Sequence, residues 1–367
     1  LGFTSSQMLA GAVLASSTFE GLSLDNALYI MGFIIVVYTG MGGMKAVIYT
    51  DTFQWILLLA GLIFIGLPLG YNAVGGYEGI AAELGPEFLS ITNISWQQLV
   101  NWGITIIPIW FVGMTLYQRI YASRSVKEAK KAWYLAGLFE WPVMAFMGVL
   151  LGLFARVAAE QGMFVDLGFD SADDMHQEQG LPTLLRTILP IGLMGLMMAA
   201  YFSAIMSTAD SCLVAASGNV TGDLLRKLLR INMDNEKLIR LSQLVTLALG
   251  ALALLLAAAM ETVLDIMLYS YAVMVSGLLV PILGALYWEK ASSAGAFWAM
   301  ITGGGLTLFL TLIPEISRLS GHDTFFEMPF GLDPIIFGIT AAGMVFVSIS
   351  LLVPGNAGRH HEKTHPN

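Results

Sequence analysis

The feature that most constrains this chain is its series of apolar runs about 20 residues long, enough to cross roughly 30 Å of hydrocarbon at about 1.5 Å per residue. They recur along 367 residues, of which 56% are hydrophobic and only 12% charged. Mean hydropathy is +0.74. A soluble domain carries roughly a quarter charged residues, so an ordinary cytosolic enzyme is excluded. A disordered chain is excluded too, because it needs low hydrophobicity. The net charge of −9 argues against nucleic acid, since phosphate binding needs clustered Lys and Arg. A single cysteine, Cys212, excludes a disulfide framework and a paired-cysteine metal site. The fold class is an all-α membrane protein.

The pattern predicts ten helices, near residues 1–17, 26–43, 46–71, 96–121, 132–158, 190–216, 238–260, 263–287, 294–313 and 334–353. Residues 181–189 read as a short interfacial helix. The bundle occupies 1–354 and a polar tail 355–367. The chain opens on Leu1 inside an apolar segment with no charged leader, and we expect it to lack its natural start. With ten spans, 14 of the 17 Lys and Arg fall on one side, including Lys45, Arg119, Lys131, Arg230, Lys290, Arg359 and Lys363; only Arg156, Arg186 and Arg318 fall on the other. The positive-inside rule puts the larger set and the C-terminus in the cytoplasm of an inner (plasma) membrane protein. Glu78, Asp166, Asp173, Asp174 and Glu178 then belong to outer loops, where they solvate exposed turns. His360 and His361 are two neighbours in a polar tail that also holds Glu362 and His365; they read as surface residues rather than a metal site.

Three carboxylates, Asp51, Glu140 and Asp210, lie within spans, where an ionisable group is costly and has a partner or a function. Asp51 lies six residues past Lys45, about 9 Å along its helix; it is either a helix-start cap or an intramembrane acid. Glu140 lies nine residues past Lys131, about 13 Å along and so near the midplane. Pro142 follows it and frees a carbonyl on the preceding turn. Glu140 faces either a cationic group of a ligand or a neighbouring helix. Ala204, Ser207, Thr208, Ser211 and Ala215 recur at helical spacing and form one stripe. Small residues on a stripe mean close packing. Three hydroxyls and the Asp210 carboxylate within five residues equally suit Na⁺, a hard cation that prefers oxygen.

At these residues the chain resembles the sodium/solute symporter family of proline, sugar and choline carriers. Residues 38–54, YTGMGGMKAVIYTDTFQ, are similar to the family's paired glycines, Lys-Ala-Val and Thr-Asp-x-x-Gln pattern. Residues 195–223, GLMMAAYFSAIMSTADSCLVAASGNVTGD, resemble its eighth core helix. Gln118-Arg119 with Ala122-Ser123 resembles the end of its sixth. The resemblance implies a LeuT-type inverted-repeat bundle with sites near the midplane, and about three further helices before residue 1. A chain without them is expected not to transport alone.

The resemblance also implies ligands. A backbone carbonyl at Ala204 with the hydroxyls of Ser207 and Thr208 matches one Na⁺ site. Asp51, with Asp210 and Ser211, matches a second that some members have, so one or two Na⁺ ions are implied. The solute would meet Trp110, Thr115 and Glu140. Residues 110–115 lack the asparagine of sugar carriers, and Glu140 stands where those have a lysine. An ammonium-bearing solute such as an amino acid therefore fits better than a sugar, with Trp110 offering either a cation–π face or plain packing. Tyr269 and Tyr271 are weaker candidates. The function implied is Na⁺-driven uptake of a small solute by a lipid-embedded carrier; the sequence does not define an oligomeric state. Three other classes have their own sequence requirements. A sensor of the same fold needs a long cytoplasmic extension. An enzyme needs a motif such as GxSxG, which the sequence lacks, or HExxH on a helix, and the sequence matches the latter only as HEKTH (361–365) in the polar tail, outside any predicted span. A channel needs a continuous polar lining.

Overall fold

The computed structural model describes residues 1–41, 44–90, 92–228, 234–319 and 328–353, and those residues contain helices and no strand. In chain order the α-helices are α1 (Gly2–Thr18), α2 (Leu24–Met41), α3 (Met44–Gly61), α4 (Leu67–Ala73), α5 (Gly76–Glu83), α6 (Trp96–Val112), α7 (Met114–Tyr121) and α8 (Val126–Phe139). Then follow α9 (Phe146–Glu160), α10 (Gly180–Ile188), α11 (Ile191–Gly218), α12 (Asn235–Ala258), α13 (Val263–Tyr287), α14 (Ser293–Leu319) and α15 (Pro334–Leu352). Among the described residues, nine runs are long and apolar enough to cross a membrane. α1, with 17 residues, completes the ten helices expected. The expected interfacial helix is α10.

Local chemistry explains several boundaries. Ser95 and Ser125 cap α6 and α8, each accepting from the backbone N–H three residues on, at 3.2 Å. Pro142 cannot donate to the helical ladder, and a π-helical turn, Glu140–Ala145, joins α8 to α9 there. Two expectations need correction. The helix expected to stop at 216 runs through α11 into a π-helical stretch, Asn219–Leu228. Within it Thr221 Oγ1 donates to the Ser217 carbonyl at 2.8 Å and Lys227 pairs with Asp223 at 2.7 Å. α5 was not foreseen; it follows a turn in which Gly75 and Gly76 both have positive φ. The side chains of Lys45, Asp51 and Arg318, together with Arg230, His360, His361 and the tail 355–367, lie outside the described residues.

The chain divides into two units. The first comprises Leu1–Asn93 and Gln118–Ile266. At its centre Met8 and Ala12 of α1 are fully buried, packed with Ala27 and Ile35 of α2, Ala209 of α11 and Ala253 of α12. A second cluster joins Leu151 and Phe154 of α9, Leu184 and Leu185 of α10 and Met197 of α11. The outer surfaces are the reverse of a soluble protein's. Phe33, Phe64 and Leu255 are 68%, 76% and 67% exposed. Large apolar side chains displayed in bulk suit hydrocarbon as solvent.

The second unit comprises Ile94–Tyr117 and Met267–Asn367. Its core gathers Ile109 and Val112 of α6, Val275 of α13 and Ile335 of α15. α13, α14 and α15 approach at Gly277, Gly303 and Gly338, where backbone meets backbone. Asn101 of α6 ties down the entry to α15: its Nδ2 donates to the Gly331 carbonyl at 3.1 Å and to Asp333 Oδ1 at 3.0 Å, and its Oδ1 accepts from Asp333 N–H at 3.0 Å. Burial holds the Asp333 carboxyl above the usual carboxylate range. Asn101→Ala is expected to cost about 1–3 kcal/mol, because it strands three polar groups at once. The measurement is the thermal midpoint of the purified protein in detergent, which should fall by several degrees; an unchanged midpoint would mean the contact contributes nothing net.

Candidate functional site

α11 carries the oxygen stripe. Ser207 Oγ and Thr208 Oγ1 both donate to the Ala204 carbonyl, at 3.1 and 3.0 Å. Hydroxyls commonly bond back to a carbonyl three or four residues earlier. The effect is three oxygens drawn together on one face. Oxygens about 3 Å apart can share an ion whose metal–oxygen bonds are about 2.4 Å, the range that suits a cation of Ca²⁺ size; Na⁺ has nearly that size. Both hydroxyls are half-buried.

One turn further along, Asp210 is 3% exposed, and Thr39 Oγ1 of α2 donates to its Oδ1. Thr39 itself is buried and lies 2.6 Å from the Ile35 carbonyl. Sequence reasoning did not single out Thr39, although it sits in the YTG segment quoted above. The next residue, Ser211, accepts a hydrogen bond from Arg119 Nη2 at 3.4 Å. Asp51 is on α3, with its side chain outside the described residues.

Glu140 opens the π-helical turn and is exposed on the first unit. Trp110 and Thr115 belong to the second unit. There the sixth expected span is broken: α6 ends at Val112, Gly113 is extended (φ −65°, ψ 111°), and α7 starts at Met114. Gly113 N–H donates to the Ile109 carbonyl at 2.8 Å, and Tyr117 Oη caps the Phe111 carbonyl at 2.6 Å. Trp110 and Thr115 flank this break, and both are half-buried; Trp110 packs in the same cluster as Tyr271. The sequence signal for the break was Pro108 followed five residues later by Gly113. Discontinuous helices of this sort line the ligand sites of many secondary transporters.

The first unit also holds a cavity of about 530 Å³ lined by Val13 of α1, Ala155 and Arg156 of α9, Glu178, and Tyr201 and Ile205 of α11. Ile205 adjoins Ala204, so the cavity reaches the level of the oxygen stripe. Its rim is tied down by charge. Glu178 accepts from Val263 N–H and Leu264 N–H at 3.0 and 3.1 Å, an acidic cap on the first turn of α13. Apart from the cavity lining, Arg186 of α10 pairs with Glu20 and donates to the Ser17 carbonyl near the end of α1. Arg156 faces Glu160 and Asp173 at 3.3 and 3.6 Å.

Long apolar helices, a lipid-suited exterior and buried oxygen groups at mid-helix define an integral membrane protein built around polar sites. The chain matches the sodium:solute symporter family over residues 2–303 and belongs to it; its relatives are transporters, not enzymes. It is 27% identical to the high-affinity proline transporter PutP of Bacillus subtilis (strain 168), covering 97% of this chain and 71% of that protein. It is also 27% identical to the sodium/pantothenate symporter of Haemophilus influenzae, covering 90% and 67%, and to solute carrier family 5 member 4B of Mus musculus, covering 95% and 58%. The chain thus spans between about three fifths and seven tenths of these relatives' lengths. Among solved structures it superposes on a substrate-bound, outward-open Na⁺-coupled sialic acid symporter with a TM-score of 0.66 and 21% identity, over 96% of this chain and 74% of that one. That likeness shows the fold, a LeuT-type helical bundle.

Proposed function

We propose that the whole protein is a secondary active transporter that couples Na⁺ influx to uptake of a small organic solute by alternating access. The observation that carries this reading is the oxygen triad of α11, in which the Ala204 carbonyl gathers the Ser207 and Thr208 hydroxyls. These are the proposed ligands of one Na⁺, held by neutral oxygens weakly enough to be released. Asp51, Asp210 and Ser211 are the proposed ligands of a second Na⁺. Trp110 and Thr115, flanking the Gly113 break, and Glu140 are the proposed solute contacts. The carboxylate of Glu140 favours an ammonium-bearing solute over a sugar. The cytoplasmic side is the one carrying the C-terminus and most of the Lys and Arg, in the plasma membrane. The relatives named for proline and pantothenate supply the first solutes to try.

Coupling requires that ion and solute both favour the same conformation, since only differential affinity shifts an equilibrium. The test is uptake of radiolabelled proline, pantothenate and glucose into vesicles containing the full-length protein, with an inward Na⁺ gradient or with K⁺ replacing Na⁺. We expect accumulation of one of them above its external concentration only with the Na⁺ gradient. Equal uptake under both conditions would refute coupling.

A further inference from the structure

The start of α8 carries charge that its own fold does not use. Lys127, Lys130 and Lys131 fall within the first six residues of the helix, and Arg124 stands just before the Ser125 cap. A helix N-terminus is the positive end of the backbone dipole and favours acids, so three lysines there oppose the helix. All four cations are exposed, and none has an ion-pair partner among the described residues. The side assigned above to the cytoplasm also carries Lys227, Lys237 and Arg240. Each of those pairs with an acid three or four residues away, at 2.7, 3.9 and 2.6 Å. Membrane orientation does not explain the difference, because the positive-inside rule counts Lys and Arg and is nearly blind to neighbouring acids. Position along the helix adds a second observation. Lys127, Lys130, Lys131 and Tyr134 recur at helical spacing and share one stripe. Beyond the lysines come Trp133 and Tyr134, 41% and 79% exposed, and then the exposed Leu135 and Leu138. Tyr134 lies about 5–10 Å along the axis from the three lysines. Charge, aromatic ring and aliphatic chain follow one another in the depth order of headgroup, interface and hydrocarbon.

We propose that the start of α8 binds the headgroup phosphate of an anionic phospholipid in the inner leaflet. The phosphate oxygens accept from the ammonium groups of Lys127, Lys130 and Lys131 and place negative charge at the positive end of the helix. The acyl chains run along Leu135 and Leu138. The inference depends on the membrane-spanning reading and the proposed orientation, not on Na⁺ coupling, so it and the symporter reading fail separately. Each cation near an anionic surface contributes about fivefold to binding.

The experiment is native mass spectrometry of the purified full-length protein in detergent, titrated with dioleoylphosphatidylglycerol and, separately, with dioleoylphosphatidylcholine. We expect the parent to hold its first phosphatidylglycerol about tenfold more tightly than phosphatidylcholine. The triple variant Lys127→Gln, Lys130→Gln, Lys131→Gln should bring the two lipids within about twofold of each other. A matched triple, Lys227→Gln, Lys237→Gln, Arg240→Gln, removes the same charge from the same side and should keep the parent's preference. Equal affinities in the parent overturn the inference, as does an α8 variant that keeps the preference or an equal loss in both triples. Competition by glycerol 1-phosphate as strong as that by the lipid also overturns it, since that marks a site for free phosphate. Should the α8 triple not be recovered folded, Lys130→Gln alone changes one exposed side chain. It is expected to weaken phosphatidylglycerol about fivefold, and unchanged affinity there overturns the inference.

Discussion

Replacing Thr208 with alanine is expected to raise the Na⁺ concentration for half-maximal uptake about tenfold, which corresponds to roughly 1.4 kcal/mol of lost ion affinity. The double variant Ser207→Ala, Thr208→Ala should lose Na⁺ dependence within any practical concentration range. Each substitution removes one of the three oxygens gathered at Ala204, and the remaining oxygens cannot replace it without moving helix backbone. The fold should tolerate the change. Each hydroxyl bonds only to a carbonyl of its own helix, and a net hydrogen bond contributes about 1 kcal/mol. Thr208→Ser keeps the oxygen and should stay near the parent. The readout is initial uptake against Na⁺ concentration at saturating solute. If the alanine variant follows the parent curve, these hydroxyls are packing groups and the ion binds elsewhere.

The second large effect concerns stability. Gly303→Leu is expected to abolish recovery of folded protein. A Cβ built at Gly303 would stand 2.1 Å from the Ser276 carbonyl oxygen of α13 and 2.9 Å from Ala342 Cβ of α15; one at Gly338 would meet Thr307 Oγ1 at 2.0 Å. The first of these obstacles is backbone, which no rotamer change removes. Overpacking a tight core costs about 1–3 kcal/mol even for added methylenes, and a whole side chain driven into a neighbouring main chain costs more. Helix association in lipid depends on this close approach, because hydrocarbon offers no hydrophobic drive between helices. Gly305→Leu is the matched control. Gly305 is exposed, and nothing lies within 4 Å of its Cβ position. Size-exclusion profiles after detergent extraction should show a monodisperse peak for the control and none for Gly303→Leu. Equal profiles would mean that the α13–α14 contact at Gly303 does not limit folding.

The sequence disclosed what depends on local pattern. Ten helices followed from runs of apolar residues, because a bilayer imposes their length. The disturbance at Glu140 followed from Pro142, since a missing donor acts on its own turn. The stripe carrying Ala204, Ser207 and Thr208 followed from helical spacing, while its reading as an ion site came from the family resemblance. The break at Gly113 was missed although Pro108 and Gly113 are local signals, because the hydropathy of 96–121 is continuous and hides a single extended residue. The partners of Asp210 and Ser211 could not be read at all. Thr39 is 171 residues from Asp210, and no periodicity along one segment tells which distant helix will face it. The persistence of α11 into Asn219–Leu228 was hidden for a different reason: the apolar run ends near Ala216, and hydropathy does not report a helix that continues through a polar stretch.

The π-helical turn after Glu140 also governs something remote from itself. A π turn accommodates about one residue more than an α turn, so everything beyond it is displaced by roughly 100° in azimuth relative to an uninterrupted coil. Phe154, Ala155 and Arg156 therefore owe their present bearing to a phase offset introduced about ten positions upstream. Pro142 acts as the indexing pin of that rotation: deleting a single residue between 140 and 145 would leave α9 with the same composition and length but turn a different flank toward α10 and α11.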